Sequence, residues 1–321
     1  MKEMGKFASS NGVNTIQYYV YHPETEPSVK PRAILQISHG MCEFIERYEN
    51  FAEFLNQQGI LVCGNDHLGH GASVDSPEDY GFFAEKDGWK CMVKDLHRLT
   101  WLMKKKYPKT PYFLLGHSMG SFLARAYLSA YPDELDGALI VGTSGSNPVM
   151  PAALPVTKSA IVVKGKRYRS QAINDIAFGT YNVKFRPRRT EHDWLTRDED
   201  TVDTFEADPR CTFIFTLQGF LDLFSTLKFI SDKRWPGTVS KELPILLLSG
   251  QMDPVGQYGK GVQEVYDRLK AAGIKDLGIK LYEGCRHEIL NETNKETVYR
   301  DILEWINQHI DQSSTHPSQN G

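Results

Sequence analysis
Short apolar runs of strand length alternate along this chain with longer segments of helical period. The runs at 33–38, 60–64, 112–115, 138–141, 245–248 and 279–282 are rich in Ile, Leu and Val, as strands covered on both faces should be. Between them, 48–58, 89–107, 119–131, 259–272 and 295–310 carry apolar residues at helical spacing. Strand–helix alternation of this kind builds an α/β fold, a parallel sheet with helices on both faces. The stretch 15–21 alternates polar and aromatic residues and fits an antiparallel entry strand.

The alternation stops between about 146 and 235. This region holds an apolar stretch at 150–163 interrupted by Pro155, basic clusters at 164–169 and 184–189, and an acid-rich segment at 191–208. Apolar residues at helical spacing follow over 213–230. We read it as a helical insertion over the carboxyl ends of the strands. The expected division is a core of residues 1–145 and 236–311, an insertion of residues 146–235, and a disordered polar tail of residues 312–321.

A length of 321 residues suits one large α/β domain with such an insertion. The net charge of −3 supplies no basic field for nucleic acid. Cys42, Cys63, Cys91, Cys211 and Cys285 are scattered and odd in number, which reads as free thiols in a reducing compartment. Their spacing suggests no zinc site. The first ten residues hold no apolar core of a signal peptide, and no run is long enough to span a bilayer. A cytoplasmic location is the expectation.

Gly116-His117-Ser118-Met119-Gly120 sits between the run 112–115 and the helical segment 119–131. This is the G-x-S-x-G pattern with a strand before it and a helix after it. A sharp turn strains the backbone at Ser118 and lifts its hydroxyl clear of the sheet. Side chains two positions before and after would collide with the neighbouring helix and strand, so both positions are glycine. The bland alternative is a chance match in a glycine-containing loop, and the flanking elements weigh against it.

Serine is a weak nucleophile and needs a base. On this kind of turn the chain order is nucleophile, acid, base. His287 lies after the run 279–282 and close to the chain end, where the base is expected; a lone histidine elsewhere is more often structural. Asp253, followed by Pro254, lies after the run 245–248 and is the candidate acid; its bland alternative is an Asx turn or helix cap. Asp66 precedes Ser118 and is expected to pin its own loop. His67 and His70 have the spacing of a metal pair but no evident third ligand. The developing oxyanion needs donors. The backbone N–H of Met119, just after the nucleophile, is one candidate. The N–H of Met41, in the loop after the run 33–38, is the other by its place in the fold.

Ser38-His39-Gly40-Met41, Asn65-Asp66-His67-Leu68-Gly69-His70-Gly71, the elbow at Ser118 and Arg286-His287-Glu288 together resemble the monoacylglycerol lipase and lysophospholipase group of α/β-hydrolases, bacterial type. The resemblance runs from about residue 17 to 310. It implies an eight-stranded, mostly parallel sheet with a helical cap between the sixth and seventh strands, where 146–235 falls. It implies cleavage of single-chain acyl esters without metal or organic cofactor. It supports Ser118, Asp253 and His287 as a catalytic triad, and Met41 and Met119 as oxyanion donors. This chain departs from many relatives at Met41-Cys42-Glu43-Phe44 and at Leu68, positions expected near the substrate pocket.

The expected partner is a small acyl ester. Apolar residues within 150–163 and 213–229 are candidates to line an acyl tunnel, or to form only the cap's own core. The basic clusters beside the apolar helix suggest transient membrane-surface contact, with a solvated basic edge as the blander reading. The acid-rich segment suggests either a peptide-amine site or a solvated helix. Cys42 and Cys285 flank the expected site, where packing is the simpler role. The alternatives to an esterase are a peptidase or thioesterase on the same fold, and a binding protein on a hydrolase scaffold. The intact triad residues count against the last.

Overall fold
The computed structural model describes residues 1–23, 30–146 and 150–313. Eight strands form one sheet: β1 (Lys2–Ala8), β2 (Thr15–Tyr21), β3 (Ala33–Ser38), β4 (Ile60–Asn65), β5 (Tyr112–His117), β6 (Gly137–Val141), β7 (Ile245–Gly250) and β8 (Leu277–Tyr282). Their spatial order is β1-β2-β4-β3-β5-β6-β7-β8. The pairings β1–β2 and β2–β4 are antiparallel, and the rest are parallel. The helices are α1 (Glu49–Asn56), α2 (Gly88–Lys106), α3 (Met119–Ala130), α4 (Met150–Lys164), α5 (Gln171–Phe178), α6 (Glu199–Ala207), α7 (Leu217–Ser231), α8 (Lys260–Ala271) and α9 (Lys295–Ser313). The chain has the α/β-hydrolase architecture.

Both faces of the central sheet are covered, as the continuous apolar runs require. Along β5, Tyr112 and Leu114 join a core with Leu96, Leu99 and Leu123 of α2 and α3. The alternate residues Phe113 and Leu115 join a second core with Phe51, Leu55 and Ile302 of α1 and α9. A strand's period of two sends successive side chains to opposite layers. Each such aliphatic or aromatic side chain contributes about 1.5–3 kcal/mol by its burial.

β1 goes unread in the sequence analysis. It is an edge strand with exposed Lys2, Met4, Lys6 and Ala8 and a single buried residue, Phe7, so its alternation is only partly apolar. It pairs along its length with β2. Between β6 and β7 the described chain forms α4 to α7, and α7 packs against α2, α3 and α4. α4 is apolar nearly all round, and Val156, Val162 and Val163 on it are exposed. α9 continues to Ser313, into the stretch expected to be a tail; residues 314–321 lie outside the described residues. Among the described residues, no helix is long and apolar enough to cross a membrane. All five cysteines are free thiols.

Candidate active site
Ser118 stands between β5 and α3 with φ 53° and ψ −121°. For a residue with a Cβ this costs roughly 1–3 kcal/mol, and the surroundings hold it there. Its N–H donates to the Val141 carbonyl at 3.0 Å, and its carbonyl accepts from the Ser121 N–H at 2.8 Å and the Ser121 hydroxyl at 2.6 Å. A Cβ on Gly116 would lie 2.5 Å from the Gly120 carbonyl oxygen, and one on Gly120 would lie 1.9 Å from that of Ser38. The two glycines let α3 press against β5 and β3.

Asp253 and His287 follow β7 and β8. His287 Nδ1 is 2.9 Å from Asp253 Oδ1, and both side chains are buried. The carboxylate is fixed by the Val255 N–H at 2.8 Å on Oδ1 and by the Ser249 hydroxyl at 3.1 Å on Oδ2. Gly142, at the end of β6 with φ +59°, leaves room for the imidazole: a Cβ there would stand 3.1 Å from His287 Cε1. Ser118, His287 and Met41 line one cavity of about 610 Å³. Gly40 lies against Ser118, since a Cβ on it would be 3.0 Å from Ser118 Cβ. Neither the Met41 nor the Met119 N–H donates to an atom of the described residues.

A buried charged cluster that no motif in the sequence marks joins the loops carrying these groups. Glu43 accepts from the Tyr48 hydroxyl at 2.9 Å, from Arg47 at 3.0 Å and from the Gly40 N–H, and its Oε1 is 2.9 Å from His117 Nδ1. Arg47 also forks onto Glu288 with two bonds of 2.8 Å. The cluster thus ties the Met41 loop, the elbow and the His287 loop together. Burial opposes the charge on Glu43, but His117 and Arg47 hold it well below its usual range. Burial likewise opposes the charge on His117, and Glu43 reverses this, raising it. Burial raises Glu288, and Arg47 more than offsets that. The sequence signal was proximity: Glu43 is near Met41, and Glu288 follows His287.

The other histidines singled out have different surroundings. His39, His67 and His70 are buried together, with His39 and His67 ring centroids 4.2 Å apart. Burial pushes His39 down to about 4 and His70 to about 3. His39 Nε2 accepts the His67 N–H at 2.8 Å, and Asp66 accepts from the Ile45 and Ala72 N–H groups, so these residues fix their own loops. Leu68 is buried in the core and is not among the cavity-lining residues, which corrects its expected place near the pocket. Met41, Cys42 and Glu43 do line it, as do Ala153, Phe213 and Leu223 of the insertion. Phe220, from the same apolar segment, is fully buried and packs within the core instead. Cys285 is also buried, donating to Asn294 Oδ1 at 3.1 Å.

Residues 29–294 match the family described as serine aminopeptidase, S33. The chain belongs to this family. Within the wider group, the monoglyceride lipase of Rattus norvegicus is 27% identical over 301 residues, covering 93% of this chain and 90% of its own. The monoacylglycerol lipase of Mycolicibacterium smegmatis is 26% identical over 309 residues, covering 95% and 96%. A thermostable carboxyl esterase from Bacillus coagulans, solved in complex with glycerol, superposes with a TM-score of 0.90 at 31% identity, covering 96% of this chain and 99% of that one. This S33 member is a serine hydrolase, similar to monoacylglycerol lipases along most of its length.

Proposed function
We propose that this chain hydrolyses single-chain acyl esters such as monoacylglycerols or lysophospholipids, with Ser118 as nucleophile, His287 as base and Asp253 as the orienting acid. The observation that carries the proposal is the buried His287–Asp253 contact of 2.9 Å opening on the same cavity as the strained Ser118. An ionised carboxylate only accepts, so the proton of that contact sits on Nδ1 and leaves Nε2 as the basic nitrogen. Nε2 takes the Ser118 proton as Oγ attacks the ester carbonyl. The N–H groups of Met41 and Met119 receive the oxyanion, and the alcohol leaves with the proton from His287. Water then attacks the acyl-enzyme with His287 again as base, and releases the acid.

The family's aminopeptidase description raises a second reading, which requires a carboxylate left for a substrate amine. Of the acid-rich segment, Asp193 is committed to the N–H groups of Arg189 and Thr190, Asp198 caps α6, Asp203 pairs with Arg189, and Glu206 pairs with His192. Asp200, whose carboxylate has no such partner among the described residues, does not line the cavity, and the cavity-lining Asp175 and Glu191 are held by Gln171 and Arg188. These commitments and the apolar wall favour the ester.

The insertion acts as the cap that walls the acyl chain. Transient lipid contact runs through the exposed valines of α4 rather than the basic cluster at 164–169, since Lys166 and Arg167 are engaged with Glu85 and Asp79. Five free thiols accord with a reducing, cytoplasmic setting. The test is hydrolysis of nitrophenyl esters across acyl lengths, then of dispersed and vesicle-borne monoacylglycerol, with Ser118→Ala alongside. Turnover that peaks at one chain length and vanishes in the variant is expected. Turnover of peptide amides with none of esters would reverse the assignment.

A further inference from the structure
We infer that Trp194, supplied by the insertion, is a positioning residue for His287, so that the insertion supports the base itself as well as walling the pocket. The inference rests on the reading of His287 as the base. Two rings pack against its imidazole: His117 of the elbow, at 4.8 Å between centroids, and Trp194, at 5.1 Å and 41°. Trp194 is itself fixed. Its N–H donates to Asn182 Oδ1 at 3.0 Å, and Tyr181 meets its ring edgewise at 4.9 Å.

The chain on either side of Trp194 is joined to the His287 loop through backbone groups. The His287 N–H donates to the Trp194 carbonyl at 3.4 Å, and the Glu288 N–H to that of Leu195 at 2.7 Å. Arg286 donates to the carbonyls of Asp193 and Thr196, and Arg197 reaches back to Glu292 at 2.9 Å. The loop that carries the base is therefore built jointly by core and insertion.

The indole has a chemical task in this place. His287 gains a proton as Ser118 attacks, and the imidazolium exists only along the reaction path. A cation over an indole face within about 6 Å of the ring centroid is attracted by it, and the imidazole stands 5.1 Å from the Trp194 centroid at a tilt of 41°. Stabilisation confined to the charged state raises kcat rather than lowering KM. His117 cannot serve in this way, because it faces Glu43 and completes that cluster's charge.

The experiment measures kcat and KM on nitrophenyl acetate, whose acyl group is too small to need the pocket wall. Trp194→Leu keeps an apolar side chain and loses the π-face; its kcat should fall about 3- to 30-fold with KM within about twofold of the parent. Trp194→Phe should retain at least about half of kcat. Site-specific fluorinated tryptophan at 194, which keeps the shape and weakens the π-face, should lower kcat with each added fluorine and carries the test if Trp194→Leu does not fold. An unchanged kcat in both, or a change confined to KM for long-chain esters, overturns the inference. Fluorophosphonate labelling, lost in Ser118→Ala and His287→Ala, tests the triad separately: if labelling survives in both, the triad reading falls, whatever Trp194 does.

Discussion
Glu43 receives four donors inside the protein, and its charge is set against Arg47 and His117 while Glu288 shares the arginine. Two carboxylates and one guanidinium leave one negative charge over, and Glu43, facing His117, favours a proton there against the burial that opposes it. The sign of the linkage follows for each partner. Glu43 is depressed in the fold, so its contribution is present above 4.5 and is lost as pH falls. His117 is raised, so its contribution is complete below 6.5 and is lost as pH rises through its folded value. Glu43→Gln should therefore destabilise the fold by about 3–5 kcal/mol, with the largest gap from the parent between about pH 4.5 and 6.5. Thermal melts of both proteins across pH measure this; a gap that does not vary with pH would refute the pairing. At this scale the elbow was readable because its five residues act through a local collision of backbone and Cβ. The cluster was not readable, because Glu43 lies 74 positions from His117 and Arg47 lies 241 from Glu288. Of the charged pairs only Glu43–Arg47, four residues apart, is local; the contacts that join the loops are made by the fold alone.

Single elements borrow their ends from one another. α2 opens after Asp87, which has φ 52° and gives no side-chain cap. The cap comes from α7 instead: Asp222 accepts the Trp89 N–H at 3.3 Å and the Gln218 amide at 3.2 Å. Burial raises Asp222 to about 6 in spite of these bonds. A raised carboxyl favours the fold below 3.8, its unfolded value, and that contribution is lost as pH rises through about 6. At pH 7.5 Asp222→Asn should match or exceed the parent in Tm, because the amide oxygen still caps and carries no buried charge. Asp222→Ala should lose about 1 kcal/mol. An Asn variant as unstable as the Ala variant would show that the charge, not the acceptor, matters. The runs of Ile, Leu and Val located six of the eight strands, since burial on both faces writes itself into composition, and polar–aromatic alternation located β2. β1 lacks that signature because it is a half-exposed edge, and α2's borrowed cap leaves none at its own start.

At the scale of the molecule, the question is how an insertion of this length is seated on the core. Arg125 of α3 is fully buried, and no carboxylate pairs with it among the described residues. It donates to the Ser144 carbonyl at 2.8 Å, just after β6, and to the Ile230 carbonyl at 3.0 Å, near the end of α7. It also lies over the Trp235 ring at 4.3 Å, and the Trp235 indole donates to Arg125's own carbonyl at 3.0 Å. One side chain thus grips the chain where it leaves the sheet and where it returns, on the helix that begins at Ser118. Burial pushes the guanidinium down to about 9, so keeping it charged in the fold costs stability that its carbonyl bonds only offset. Buried polar groups of this kind specify an arrangement more than they strengthen it. Arg125→Met removes the cost and the bonds together. The expected result is a global stability within about 1 kcal/mol of the parent. Proteolysis within the insertion should quicken by about tenfold, the effect of some 1.4 kcal/mol of lost local protection. KM should rise for long-chain esters, whose acyl group needs the insertion in place, and stay unchanged for nitrophenyl acetate. A fall of several kcal/mol with cleavage spread over the whole chain would make Arg125 a part of the core rather than the seat of the helices between β6 and β7.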